Sequence, residues 1–128
     1  MKKDKLIAKK SLGQNFITDK NFLKKLSSLI ITSSNSFIIE IGPGKGALTK
    51  ELVKKKINQL LVIEKDDRLI DNLKIFARKF ENFEIIHQDA LKVDYNKIIK
   101  KNSIIVGNLP FNISSNLLMN WISLNKWP

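Results

Sequence analysis

Four short stretches carry residue types suited to chemistry, and each stands directly after a predicted strand. The first is Glu40-Ile41-Gly42-Pro43-Gly44-Lys45-Gly46-Ala47. Glycines there let the backbone turn tightly and approach a ligand with no Cβ in the way. Gly42, Gly44 and Ala47 satisfy the dinucleotide pattern G-x-G-x-x-G/A, while Gly42, Gly44 and Gly46 satisfy G-x-G-x-G, which suits S-adenosylmethionine. Pro43 tilts the choice toward the second, because it removes a backbone N–H that a pyrophosphate would use. A glycine-rich turn without a ligand is the plain alternative.

The second stretch centres on Glu64, 22 residues after Gly42. An acidic side chain at that distance can accept both ribose hydroxyls of an adenosine ligand, whichever nucleotide carries it. The third is His87-Gln88-Asp89-Ala90, where Asp89 could accept from the exocyclic amine of a cofactor adenine; His87, with no second ligand nearby, reads as a strand-end residue. The fourth is Asn108-Leu109-Pro110-Phe111. The exocyclic amine of adenine is a poor nucleophile, because its lone pair is delocalised into the ring. An enzyme that methylates it must accept both N–H hydrogens and hold the nitrogen in line with the methyl donor. The Asn108 side-chain oxygen and the Leu109 carbonyl can be those acceptors, Pro110 stiffens the turn, and Phe111 offers a face for base stacking. Taken alone, Asn-x-Pro is only a turn signal; after the fourth strand of a glycine-loop sheet it reads as a site.

The elements that must position these stretches follow from changes of apolar period. Phe22, Leu23, Leu26, Leu29 and Ile30 fall at helical spacing behind Thr18 or Asp19 as N-cap. Strands are expected at Phe37 to Ile41, Leu60 to Ile63, Phe83 to Ile86 and Ile104 to Val106. Between and after them, helices are expected at Ala47 to Lys55 (Leu48, Leu52, Val53 inward), Asp66 to Phe80 (Leu69, Leu73, Ile75, Phe76) and Ile113 to Leu124. Continuously apolar strands alternating with helices describe an α/β protein, a parallel, Rossmann-like, doubly wound sheet covered on both faces. Ligands of such sheets bind beyond the strand carboxyl ends.

Composition bounds the rest. A chain of 128 residues with 43% hydrophobic and 27% charged residues has room for one domain and is neither disordered nor membrane-spanning. No apolar run approaches the ~18 residues of a spanning helix. Without Cys, and with a single His, there is no thiolate or other evident metal site. The first ten residues are lysine-rich with no apolar run behind them, so they do not read as a signal peptide, and the cytoplasm is the expected location. The net charge of +11 points to a polyanionic partner, although 21 Lys against 2 Arg also fits codon bias. Residues 1–25 hold eight Lys and two Asp, so the surplus is concentrated in a basic arm, residues 1–17, ahead of a more balanced domain, residues 18–128. Lys2, Lys3, Lys5, Lys9 and Lys10 are the candidate RNA-phosphate contacts.

With these stretches in place, the chain resembles the ribosomal RNA adenine N6,N6-dimethyltransferases. The resemblance rests on Ser11-Leu12-Gly13-Gln14-Asn15-Phe16-Ile17, the Glu40 to Thr49 loop, Val62-Ile63-Glu64-Lys65-Asp66, Gln88-Asp89-Ala90-Leu91 and Gly107-Asn108-Leu109-Pro110-Phe111-Asn112-Ile113-Ser114, in that family's order. It implies a class I S-adenosylmethionine-dependent methyltransferase sheet, of which this chain holds the N-terminal part without the family's C-terminal helical domain. It implies dimethylation of two adjacent adenosines in the 3′-terminal hairpin of small-subunit rRNA, with the pre-30S ribosomal particle as partner and ribosome biogenesis as context. Carried over by position, Asn15, Ile17, Gly42, Gly44, Glu64, Asp89 and Asn108 would hold S-adenosylmethionine, and Asn108, Leu109, Pro110 and Phe111 would present the adenine. Ile17 stands where the family usually has Leu, and Phe111 where it commonly has Tyr. The rival readings are an rRNA-binding assembly factor without catalysis and a dinucleotide-binding oxidoreductase.

Overall fold

Strands β1 (Phe37–Ile41) and β2 (Gln59–Glu64) lie at the centre of a four-stranded sheet of order β3-β2-β1-β4, completed by β3 (Phe83–His87) and β4 (Ser103–Gly107). All three pairings are parallel. The computed structural model describes residues 16–125, so Asn15 and the five arm lysines lie outside the described residues. The α/β class and the parallel sheet are those expected. Every residue of β1 is buried, and its alternation feeds two cores: Ile38 packs with Leu23, Leu52, Val62 and Leu73 on one face, Ile39 and Ile41 with Leu61, Tyr95 and Leu117 on the other. The edge strands are less covered than expected of a fully enclosed sheet; Glu84 and His87 of β3 are exposed because no further strand flanks them among the described residues.

The helices depart from expectation mostly at their ends. Helix α1 (Lys20–Leu29) is capped by Asp19, not Thr18, whose carboxylate accepts from the backbone N–H of Asn21 and Phe22 at 2.9 and 3.1 Å. Leu23 faces the core, whereas Phe22 and Leu29, at the margin of the apolar stripe, are exposed. Helix α2 (Ala47–Leu52) stops three residues early; Val53 caps it and still packs inward against the first core, while Lys55 reaches back to the Ser27 carbonyl at 2.9 Å. In α3 (Asp67–Lys79), Asp66 is the N-cap, Leu69 and Leu73 are buried, Phe76 stacks on Phe83 at 5.9 Å, and Ile75 is 49% exposed instead of inward. A 3₁₀ turn (Ala90–Lys92) and a one-turn helix α4 (Tyr95–Ile98) fill the β3–β4 connection; both are shorter than an apolar period can reveal. Helix α5 (Phe111–Ile122) begins two residues earlier than expected, since Pro110, with φ −58°, is preset to start it.

Running from β1 outward to β3 and then back across to β4, the chain reverses between β1 and β4. That is the topological switch point. In register, Ile41 stands beside both Ile63 and Gly107, so the loops carrying Gly42, Glu64 and Asn108 leave the sheet at one level. The β1–β4 approach is close: a Cβ on Gly107 would stand 2.7 Å from the Ile41 carbonyl oxygen. Backbone cannot yield as a side chain would, so Gly107→Ala is expected to lower stability by about 1–3 kcal/mol, the range for overpacking, measured by denaturant unfolding.

Candidate functional site

At the strand carboxyl ends lies an open cavity of about 1400 Å³, bordered by the loops after β1, β2, β3 and β4 and by Phe16 and Ile17. It brings together Ile17, Gly42, Gly44, Glu64, Asp89, Asn108 and Pro110 of the expected site residues. The Leu109 side chain instead packs into the second core, leaving its backbone as the part available to a ligand. Phe111 is 99% exposed at the start of α5, outside the cavity wall. His87 turns away and meets Asp67 at 2.8 Å.

Gly42, Gly44 and Gly46 all have positive φ, at 61°, 58° and 78°. At Gly42 an added Cβ would meet nothing within 4 Å, so its α-carbon faces open space where a ligand can press against backbone. Gly46 caps α2 with no room for a side chain, since a Cβ would stand 2.8 Å from the Phe76 ring. Three of the loop's N–H groups are engaged. Gly42 N–H donates to the Ile63 carbonyl at 2.8 Å, Gly46 N–H to the Pro43 carbonyl at 2.9 Å, and Gly44 N–H to Glu64 Oε2 at 3.1 Å. Pro43 has no N–H to give. Pro43 thus removes one N–H from the cradle that a pyrophosphate uses at a helix start, and Gly42, Gly44 and Gly46 have committed theirs within the protein.

Glu64 is buried and held by backbone alone: Oε1 accepts from Lys65 N–H at 2.8 Å and Asp66 N–H at 2.9 Å, and Oε2 from Gly44. A carboxylate has about four acceptor positions, so this one is oriented and still has capacity toward the cavity. Asp89 Oδ2 meets Lys65 Nζ at 2.9 Å, and its Oδ1 accepts from Leu91 N–H at 3.0 Å. Lys65 foremost holds the Asp89 carboxyl below its ordinary value, with the Leu91 N–H adding to the effect against partial burial. It is thus an ionised, acceptor-only group.

Two features escape the sequence reading. The Phe16 ring lies over the glycine loop, 3.2 Å from where a Gly44 Cβ would be, with Lys45 Nζ 4.8 Å from its centroid. Glu40, in the middle of β1, is 1% exposed and accepts from Thr49 Oγ1 at 2.7 Å. Burial pushes the Glu40 carboxyl up to about 8, Thr49 opposing and Glu64 reinforcing the shift. A charge inside Phe-Ile-Ile-Glu-Ile was the available signal. Among the described residues no group of three His, Cys, Asp or Glu is placed to hold a metal ion. No described helix is long and apolar enough to cross a membrane.

A parallel sheet with a glycine loop after its first strand and an oriented carboxylate after its second defines a doubly wound α/β domain with an open cavity at the strand carboxyl ends. The profile of the ribosomal RNA adenine dimethylase family matches residues 6–128, and the chain belongs to that family. It is 42% identical over 125 residues to ribosomal RNA small subunit methyltransferase A of Bradyrhizobium diazoefficiens, covering 96% of this chain and 44% of that protein. To the protein of the same name from Pelagibacter ubique it is 47% identical over 116 residues, covering 90% and 43%. Among solved structures it is similar to a dimethyladenosine transferase from Plasmodium falciparum, with TM-score 0.76 and 26% identity over 88% of this chain and 40% of that one. The chain therefore spans less than half the length of these relatives.

The Glu40 shift has a stability consequence. Between its ordinary 4.5 and about 8 the folded chain holds a proton that the unfolded chain has lost, so stability falls as pH rises through that window and levels above it. Glu40→Gln, which keeps a neutral side chain at every pH, is expected to remove that decline, read as the difference in unfolding free energy between the two proteins from pH 4.5 to 8.

Proposed function

We propose that this chain is the cofactor-binding portion of an S-adenosylmethionine-dependent rRNA adenine N6,N6-dimethyltransferase. Its target would be two adjacent adenosines in the 3′-terminal hairpin of small-subunit rRNA, met in the pre-30S particle during ribosome biogenesis. The observation that carries the reading is the convergence of an open Gly42, the oriented Glu64 carboxylate and Asn108 on one cavity, beside a loop in which Gly42, Gly44 and Gly46 have committed their N–H groups and Pro43 has none. A cofactor with adenosine and amino-acid ends but no phosphate asks for fewer N–H donors from that loop than a dinucleotide does.

The residues divide by chemistry. Glu64 accepts from the ribose hydroxyls, and the Asp89 carboxylate from the adenine amine, while Gly42 and Gly44 let the ligand approach backbone; Ile17 closes the side formed by the N-terminal segment, and the family resemblance adds Asn15 as a further cofactor contact. Bound there, S-adenosylmethionine supplies an electrophilic methyl on a sulfonium. Asn108 Oδ1 and the Leu109 carbonyl accept the two hydrogens of the target amine, which turns its lone pair away from the ring. Pro110 fixes the turn that aims these acceptors. Phe111 offers its free ring to the extruded base. No general base is needed, because the methylated ammonium loses its proton to water. The basic arm, through Lys2, Lys3, Lys5, Lys9 and Lys10, engages RNA phosphates and makes binding salt-dependent.

The test uses a chimaera in which residues 16–125 replace the matching segment of a full-length relative. Asn108 acts as the nitrogen becomes tetrahedral, so Asn108→Ala is expected to slow single-turnover methylation by roughly 10²–10³, the loss typical of one preorganised hydrogen-bonding group. RNA affinity should stay near that of the parent. Methylation at the parent rate, read by mass spectrometry of the rRNA, would reduce the tetrapeptide to a turn and remove the mechanism.

A further inference from the structure

Three carboxyl-bearing residues are buried among the described residues: Glu40, Glu64 and Asp66. Asp66 is paired with Arg68. Glu40 and Glu64 both line the cavity, and neither forms an ion pair with a described residue. Their donors are neutral, a hydroxyl for Glu40 and three backbone N–H groups for Glu64. Cations are not scarce in a chain of 23 basic and 12 acidic residues. Of the lysines at the cavity wall, Lys45 sits over Phe16, Lys65 is held by Asp89 and Lys54 by Glu51, and Lys20, Lys24, Lys50 and Lys79 are exposed on their helices.

The surroundings of Glu40 leave one way to settle its charge. Its neighbours in register are Val62 on β2 and Val106 on β4, both apolar. From α2 it meets Thr49, with Lys50 exposed and Glu51 half-buried on either side of the helix turn; from α1, Leu23 is the buried contributor to the same face. The charged group that bears on it is Glu64, of like sign. A carboxylate so buried without a counter-charge is costly, and holding a proton is the escape.

We propose that Glu40 gives up its proton when a cationic ligand fills the cavity, so that the ligand's positive charge replaces the proton and the site prefers a sulfonium-bearing methyl donor to its neutral thioether product. The proposal rests on the cofactor reading above and adds to it a discrimination that the ribose and adenine contacts cannot make, since donor and product share both. The balance is simple: the Glu40 carboxyl becomes carboxylate, one proton goes to solvent, and no bond to the ligand is formed or broken. Because the carboxyl is pushed up to about 8, the exchange falls within reach of neutral pH.

Calorimetry of the 128-residue chain with S-adenosylmethionine and with S-adenosylhomocysteine, in buffers of differing protonation enthalpy, counts the protons exchanged. The ligand's own amino group titrates nearby, so the reading is wild type minus Glu40→Gln. For the sulfonium ligand the difference should be about 0.9 proton released at pH 7, falling to about 0.1 at pH 9, and it should be smaller for the thioether. Independently of any variant, the preference of the wild type for the sulfonium should rise with pH, by up to about tenfold from pH 7 to 9 for full linkage. Equal proton counts in wild type and Glu40→Gln, or a preference flat with pH, would overturn the proposal while leaving the cofactor reading intact. No binding of either ligand would overturn both.

Discussion

The Glu64 carboxylate ties two loops together. One oxygen holds the glycine loop through Gly44 N–H, and the other holds the β2–α3 turn through Lys65 and Asp66 N–H. Hydrogen bonds to an ionised group are the stronger kind, and this one is buried where water competes little. The remaining cavity wall follows from it. Asp66, fixed by the same oxygen, caps α3, and Lys65, leaving the same turn, reaches Asp89 across the mouth of β3. A single acidic residue thus sets both the position of the glycine loop and the orientation of the second candidate acceptor.

The site combines an excess of positive charge outside with carboxyls inside. The chain carries +11, an attraction for polyanions that acts at long range and weakens with salt. The cavity floor has the opposite character, because Glu40 and Glu64 project from adjacent central strands with no described cation against them. The proposed function asks for two ligands of opposite charge, a polyanionic substrate and a cationic methyl donor. On that proposal, basic surface and a carboxyl-bearing floor divide the two between them.

Much of the architecture was legible. Phe37 to Ile41 announced itself as a strand by β-branched content ended at Gly42, and its bounds are those observed. Central strands are read easily because both faces are buried, so every position carries the apolar signal. The helix ends were less legible, since they depend on what each helix covers. Ile75 has helical spacing but lies beyond the core, and Val53 falls where α2 has already ended. The 3₁₀ turn and α4 are too short for any period; Tyr95, whose hydroxyl donates to the Ala90 carbonyl at 2.9 Å, holds that connection through a contact no local pattern encodes. Within the site, the glycine loop, Glu64, Asp89 and Asn108 stood out as chemistry directly after a strand. Glu40 did not, because a carboxyl whose role depends on burial looks like any other acidic residue until the sheet is assembled. Phe16 was likewise hidden, its role arising from a ring laid across Gly44, 28 residues away in the sequence.

The most direct measurement is equilibrium binding of S-adenosylhomocysteine and of NAD to this chain, with Glu64→Ala alongside. The account predicts that S-adenosylhomocysteine binds, that NAD does not, and that Glu64→Ala weakens the former by roughly 1–3 kcal/mol, the range for hydrogen-bonding groups left unmet. Tight NAD binding with none for S-adenosylhomocysteine would contradict it.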